Sequence, residues 1–212
     1  MRLKPKSCLD WKLYVIADFA SLKGRSLEEV VLQVIEGGAS VIQLRDKRSD
    51  DETLIKIAKS LLKLTRTKNI PLIINDRAEV ARISGADGLH LGQEDGSLES
   101  ARTILGEKAI IGRSTHTEEQ AFGAAAQGFD YIGVGPVFQT PTKPSYEPVG
   151  LELVRFAAKN IHIPFVAIGG INQQNISLVR EAGAKTVAVV RAVMADPNPK
   201  EAARKLILAY EK

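Results

Sequence analysis

Eight short apolar runs, each followed by a polar or glycine-rich exit and then by helical patterning, constrain this chain more than any other feature. The runs are Leu13 to Ala17, Val41 to Leu44, Pro71 to Ile74, Ala86 to Leu91, Ala109 to Gly112, Asp130 to Val134, Ile163 to Ile168 and Lys185 to Val190. Their length and β-branched content suit strands buried on both faces, and the segments between them carry the longer period of amphipathic helices. Repeated βα units of this size are joined by right-handed crossovers, so the strands are parallel and the helices cover the sheet. Eight such units predict a single-domain (β/α)8 TIM barrel. A doubly wound open sheet is the architectural alternative, and the eighth strand argues against it because closure removes edges that an open sheet keeps.

Helix punctuation agrees with this reading. Ser26 stands three residues before Glu29, the spacing of a capping box, and Gly37-Gly38 ends the helix that follows. Asp50 or Asp51, Ser97 and Thr117 are the next candidate N-caps, with Gly106 and Gly128 as stops. Leu151 to Asn160 and Asn172 to Glu181 read as helices, and Ala192 to Tyr210 as terminal helical material broken near Pro197 and Pro199. The 212 residues make one domain, 1–212, in which 1–11 is a polar N-terminal extension. The longest loop, Gly135 to Pro148, lies in phase with its neighbours and reads as an active-site loop, not a linker.

Composition narrows the function classes. A formal charge of +4, from 29 basic and 25 acidic residues, comes without a basic run, which disfavours nucleic-acid binding and suits a small anionic substrate. Cys8 is the only cysteine, so no intrachain disulfide forms and a cytoplasmic setting is the simpler expectation. No apolar stretch reaches the length of a membrane span, and Met1 to Lys6 is not followed by a secretory core. Self-association as a homo-oligomer is left open.

The polar residues cluster after the apolar runs, where a barrel brings all its strand ends to one mouth. Gln43, Arg45 and Lys47 alternate with period two at the second exit; they offer a phosphate fork and a point charge, or simply a solvated loop. Asp76 and Asp95 close the third and fourth runs and make a two-carboxylate Mg²⁺ candidate, although Asp95 alone reads equally as a helix start. His90 faces inward either as a substrate contact or as a hydrogen-bonded core residue. His116 and His162 complete no zinc set. Thr140, Thr142 and Lys143 can donate to a diphosphate, and Gly169-Gly170 with Val189-Val190-Arg191-Ala192 suits the phosphate cradle of the last two barrel loops.

These pieces, in order, resemble the thiamine-phosphate synthases, also called thiamine-phosphate pyrophosphorylases. The matching stretches are Gln43-Leu44-Arg45-Asp46-Lys47, Ile74-Asn75-Asp76, Asp87 to Gln93 with Asp95, and Gly112-Arg113-Ser114-Thr115-His116. They continue through Asp130 to Phe138, Thr140-Pro141-Thr142-Lys143 and Ala167 to Ile171, so that the resemblance covers nearly all of Leu13 to Met194. It implies coupling of hydroxymethylpyrimidine diphosphate to hydroxyethylthiazole phosphate, giving thiamine phosphate and pyrophosphate. Residue by residue it assigns Gln43, Arg45, Lys47 and Asn75 to the diphosphate-bearing pyrimidine, and Asp76 and Asp95 to Mg²⁺, while His90 stays a candidate substrate contact by position alone. Ser114, Thr140, Lys143 and Thr142 fall to the pyrophosphate, and Gly170, Val190 and Arg191 to the thiazole phosphate. Lys143, Ser114, Arg45 and Lys47 form the implied catalytic set.

Arg191 departs from the family pattern, which usually has Ser there, so the thiazole phosphate is held either by backbone amides or by the Arg191 side chain. The implied mechanism is dissociative and needs no base, because the thiazole nitrogen already carries its lone pair. A thiazole tautomerase of the same broad family, and a non-catalytic phosphate-ligand-binding protein, are the alternative readings.

Overall fold

The computed structural model describes residues 10–141 and 147–211. Eight parallel strands close into a barrel in chain order. They are β1 (Leu13–Asp18), β2 (Val41–Arg45), β3 (Leu72–Asn75), β4 (Gly88–Leu91), β5 (Ile110–Thr115), β6 (Tyr131–Val134), β7 (Phe165–Ile168) and β8 (Val187–Val189). Closure comes from pairing of Leu13 with Val187, Tyr14 with Ala188 and Val15 with Val189. The helices outside it are α1 (Leu27–Glu36), α2 (Asp51–Thr67), α3 (Ala78–Ser84), α4 (Leu98–Leu105), α5 (Glu118–Gln127), α6 (Gly150–Asn160), α7 (Ile176–Glu181), α8 (Arg191–Met194) and α9 (Pro199–Glu211).

The caps follow the side-chain chemistry. Ser26, Asp50, Ser97 and Thr117 each accept a backbone N–H three residues on, at 3.4, 2.8, 3.1 and 3.2 Å. At α1 Ser26 thus accepts from Glu29 N while its hydroxyl donates to the Glu28 carboxylate at 3.4 Å. Two boundaries differ from expectation. The segment 172–175 is a turn, because Asn172 and Asn175 side chains bind the nearby backbone in place of a helical ladder, and α7 begins only at Ile176. The terminal material divides into α8 and α9, with Asn198 accepting from Glu201 N at 3.1 Å and Pro199 opening the second helix.

Two apolar cores result. The larger lies between strands and helices; the smaller fills the barrel and contains Trp11, Tyr14, Ile16, Val41, Ile73, Ile110, Tyr131, Val166 and Ala188. Strand alternation accounts for the division: the residues inside are two apart along each strand, and the same parity carries Gln43, Arg45, Asn75, His90 and Ser114 inward nearer the carboxyl ends. Trp11, the last residue of the expected polar extension, is buried edge-on against Tyr14 and Tyr131, with centroids 5.7 and 5.2 Å away. Residues 1–9, Cys8 among them, lie outside the described residues.

Gly112 makes room for this plug. A Cβ there would meet the Tyr131 ring at 2.1 Å, so any side chain must displace a fully enclosed aromatic. Gly112→Ala is expected to lower the unfolding free energy by about 1–3 kcal/mol, read from urea titration, and Tyr131→Ala should remove most of that penalty. An unchanged midpoint in Gly112→Ala would contradict the packing.

Candidate active site

A cavity of about 440 Å³ opens at the carboxyl ends of the strands, and every strand exit contributes to its wall. Gln43 and Arg45 come from β2, Asn75 from β3, His90 from β4 and Ser114 from β5. The loop after β6 adds Thr140, the loop after β7 adds Gly169 and Gly170, and Val190 and Arg191 come from the exit of β8. Thus nine residues assigned from sequence, from Gln43 to Arg191, share one chamber. Lys47, Asp76 and Asp95 stand above it at the exits of β2, β3 and β4, while Thr142 and Lys143 lie outside the described residues.

Arg45 is held in place by a buried carboxylate. Asp18, at the end of β1, accepts from the Arg45 guanidinium with one oxygen and from Ala20 N, at 2.8 Å, with the other. The Asp18 side chain is 6% exposed, which leaves the arginine as its charge partner and keeps the fork aimed into the chamber. Asp18 is thereby a site residue that the motif reading passed over. Its inward parity with Tyr14 and Ile16 was the available signal.

The exit of β2 is shaped before any ligand arrives. Asp46 accepts from Arg48 N at 2.9 Å and from the Ser49 hydroxyl at 2.6 Å. Arg77 then ties this loop to the next exit, donating to Ser49 O at 2.7 Å and to Asp51 at 2.9 Å. Lys47, on the crest, reaches Asp76 at 3.5 Å.

Asp76 and Asp95 come together as the strand assignment required. Burial pushes the Asp76 carboxyl up from the ordinary aspartate range, a hydrogen bond and charge repulsion from Asp95 add to the rise, and Lys47 opposes it. Asp76 adopts a left-handed backbone, φ 64°, with its N–H bonded to His90 O at 2.9 Å, so the turn is fixed from the neighbouring strand. Asp95 is set by Gly92 N at 2.8 Å, and its loop is gripped by Arg113, which donates to Gln93 O at 2.7 Å and to Gly96 O. Two carboxylates pressed together beside a single exposed lysine are an oxygen donor set that a hard cation would relieve. The described residues hold no group of three ligating side chains, so water and substrate oxygens would have to complete a Mg²⁺ shell.

Other parts of the recurring motifs serve the scaffold. Asp87 and Asp130, at the opposite ends of β4 and β6, accept from Leu72 N at 2.9 Å and Ile111 N at 2.7 Å, and Asp130 also pairs with Arg102. Gly169 and Gly170 have positive φ and lie against the β6 loop, whose Val137 and Phe138 donate to Ile168 O and Gly169 O at 2.8 and 3.0 Å. Arg191 opens α8 and is exposed on the rim of the chamber.

Comparison with known proteins agrees with this geometry. The family model for thiamine monophosphate synthase matches residues 13–193. The thiamine-phosphate synthase of Syntrophomonas wolfei is 43% identical over 204 residues, covering 96% of this chain and 98% of its own length. That of Chloroflexus aurantiacus is 45% identical over 199 residues, 93% of this chain and 92% of its own. Among solved structures, the thiamine phosphate pyrophosphorylase from Pyrococcus furiosus superposes with a TM-score of 0.87 at 37% identity, covering 97% of each chain. A 3-hexulose-6-phosphate synthase, at 21% identity and a TM-score of 0.65, shares the fold. The chain belongs to the thiamine monophosphate synthase family.

Proposed function

We propose that this chain forms thiamine phosphate by joining hydroxymethylpyrimidine diphosphate to hydroxyethylthiazole phosphate, with release of pyrophosphate. The observation that carries the reading is the placement of a carboxylate-anchored arginine, a serine hydroxyl and two adjoining carboxylates around one mouth. A tautomerase has no diphosphate to hold and no use for that set. The enzyme acts on small molecules, and a cytoplasmic setting is its simplest location. Among the described residues no helix is long and apolar enough to cross a membrane.

In this scheme Arg45 and Ser114 grip the diphosphate, with Lys47 and Thr140 around it, while Gln43, Asn75 and His90 face the pyrimidine side; Thr142 and Lys143, outside the described residues, are assigned to the pyrophosphate by the family resemblance alone. The carbon–oxygen bond breaks and its electron pair leaves on pyrophosphate. The methylene cation is stabilised by the pyrimidine ring and is taken by the thiazole nitrogen lone pair, so no proton needs to move at the nucleophile. Fixed donors aimed at the departing oxygens lower the barrier because they are arranged before charge develops. Mg²⁺, held by Asp76 and Asp95 with water and diphosphate oxygens, would supply further positive charge there. The thiazole phosphate sits toward Gly170 and the Val190-Arg191 turn, held by backbone amides with Arg191 available from the rim.

Purified protein given both substrates and Mg²⁺ is expected to yield thiamine phosphate and pyrophosphate in equal amounts. No product, under conditions where a synthase of the family turns over, would refute the reading. Asp76→Asn and Asp95→Asn should each raise the Mg²⁺ concentration needed for half-maximal turnover and leave the circular dichroism spectrum unchanged; an unshifted Mg²⁺ titration would defeat the metal assignment. Asp18→Asn should lower kcat/KM for the diphosphate substrate about tenfold by releasing Arg45, which steady-state kinetics with the diphosphate varied will measure.

A further inference from the structure

Inside the barrel, running beneath the chamber from one wall to the other, five side chains form a continuous hydrogen-bond chain from Gln43 to Ser114. Gln43 Nε2 donates to the Tyr14 hydroxyl at 2.8 Å, and the Tyr14 and Tyr131 hydroxyls are 3.0 Å apart. Tyr131 Oη lies 2.9 Å from His90 Nδ1, and His90 Nε2 lies 2.9 Å from Ser114 Oγ. Tyr14 and Tyr131 do not line the cavity and are enclosed among Trp11 and the interior aliphatics. Their burial pushes both phenols up, so each stays neutral with one proton to give.

The chain has a direction. An amide nitrogen only donates, so Tyr14 accepts from Gln43 and spends its single proton on the Tyr131 oxygen. Tyr131 in turn donates to His90 Nδ1. A ring nitrogen that accepts carries no proton, so the imidazole proton resides on Nε2 and is donated to the lone pair of Ser114. The Ser114 hydroxyl proton is then the one left over, and the chamber is where it can go.

We propose that Gln43, Tyr14, Tyr131 and His90 act as a one-way relay that locks His90 in its neutral Nε2–H tautomer and turns the Ser114 hydroxyl into an obligate donor toward the anionic oxygens of the bound diphosphate. Tyr14 and Tyr131 are thus positioning residues for a site they do not touch. In the reverse polarity Ser114 would give its proton to His90 and present lone pairs to an anion. Gly112 belongs to the device, because a Cβ there would stand 2.1 Å from the Tyr131 ring. The anion's identity rests on the function proposed above, whereas the tautomer does not.

Long-range nitrogen–proton correlation spectra of the whole 15N-labelled protein, with the His90 signals assigned by their loss in His90→Gln, will read the tautomer directly. Wild type is expected to show Nε2–H, and Tyr131→Phe to gain Nδ1–H; an Nδ1–H wild type would overturn the proposal even if the enzyme is active. Kinetically, Tyr131→Phe should lower kcat/KM roughly tenfold but cost nothing further on a Ser114→Ala background, and Tyr14→Phe should behave in the same way more weakly. Additive losses in that cycle would show that Tyr131 acts through packing and not through Ser114. Inactive wild type with an Nε2–H imidazole would sink the substrate assignment alone.

Discussion

The pairing of β8 with β1 is the constraint on which the rest of the molecule depends. Once the sheet closes, alternate residues of every strand must point into a space too narrow for solvent, and only their last turns open upward. The lower layers fill with Trp11, Tyr14, Tyr131 and aliphatic side chains. The upper layer is free to be polar, and each strand can place one functional group within reach of the same ligand. The active site is therefore what the barrel's interior becomes at the end where packing stops.

That geometry also separates holding from reacting. Several charged groups never face the chamber: Asp87 and Asp130, in the family motifs, secure strand starts, Arg113 clamps the loop that carries Asp95, and Arg77, just past the Ile74-Asn75-Asp76 motif, joins two adjacent exits. Their effect on chemistry is indirect but specific, because a carboxylate pair or an arginine fork works only if its loop is already in place. Arg45 shows the principle at its simplest, since its charge is balanced from behind by Asp18 while its open side faces the chamber.

Much of this was legible in the sequence. The eight apolar runs foretold the barrel, because short runs with helical spacers have few other closed solutions, and the Ser, Asp and Thr caps marked α1, α2, α4 and α5 within a residue. The convergence of Gln43, Arg45, Asn75, His90 and Ser114 followed from the rule that a parallel barrel brings its strand exits to one mouth. Other features were not legible. Asn172 and Asn175 gave no sign that their side chains would replace helix with turn. The polar look of 1–11 hid the burial of Trp11, which depends on the space between two tyrosines remote in sequence. Asp18 resembled any carboxylate at a strand end: its parity with Tyr14 and Ile16 pointed it inward, but the register of β1 against β2 is what sets it beside Arg45.

In the proposed reaction one mouth holds a departing pyrophosphate between Arg45, Ser114 and a cation shared by Asp76 and Asp95. A crystal structure of the protein with thiamine phosphate, pyrophosphate and Mg²⁺ tests it most directly. Metal density is expected to touch both carboxylates and the pyrophosphate, with the anion against Arg45 and the Ser114 hydroxyl. Pyrophosphate bound away from these residues, or a cation that ignores Asp76 and Asp95, would contradict it.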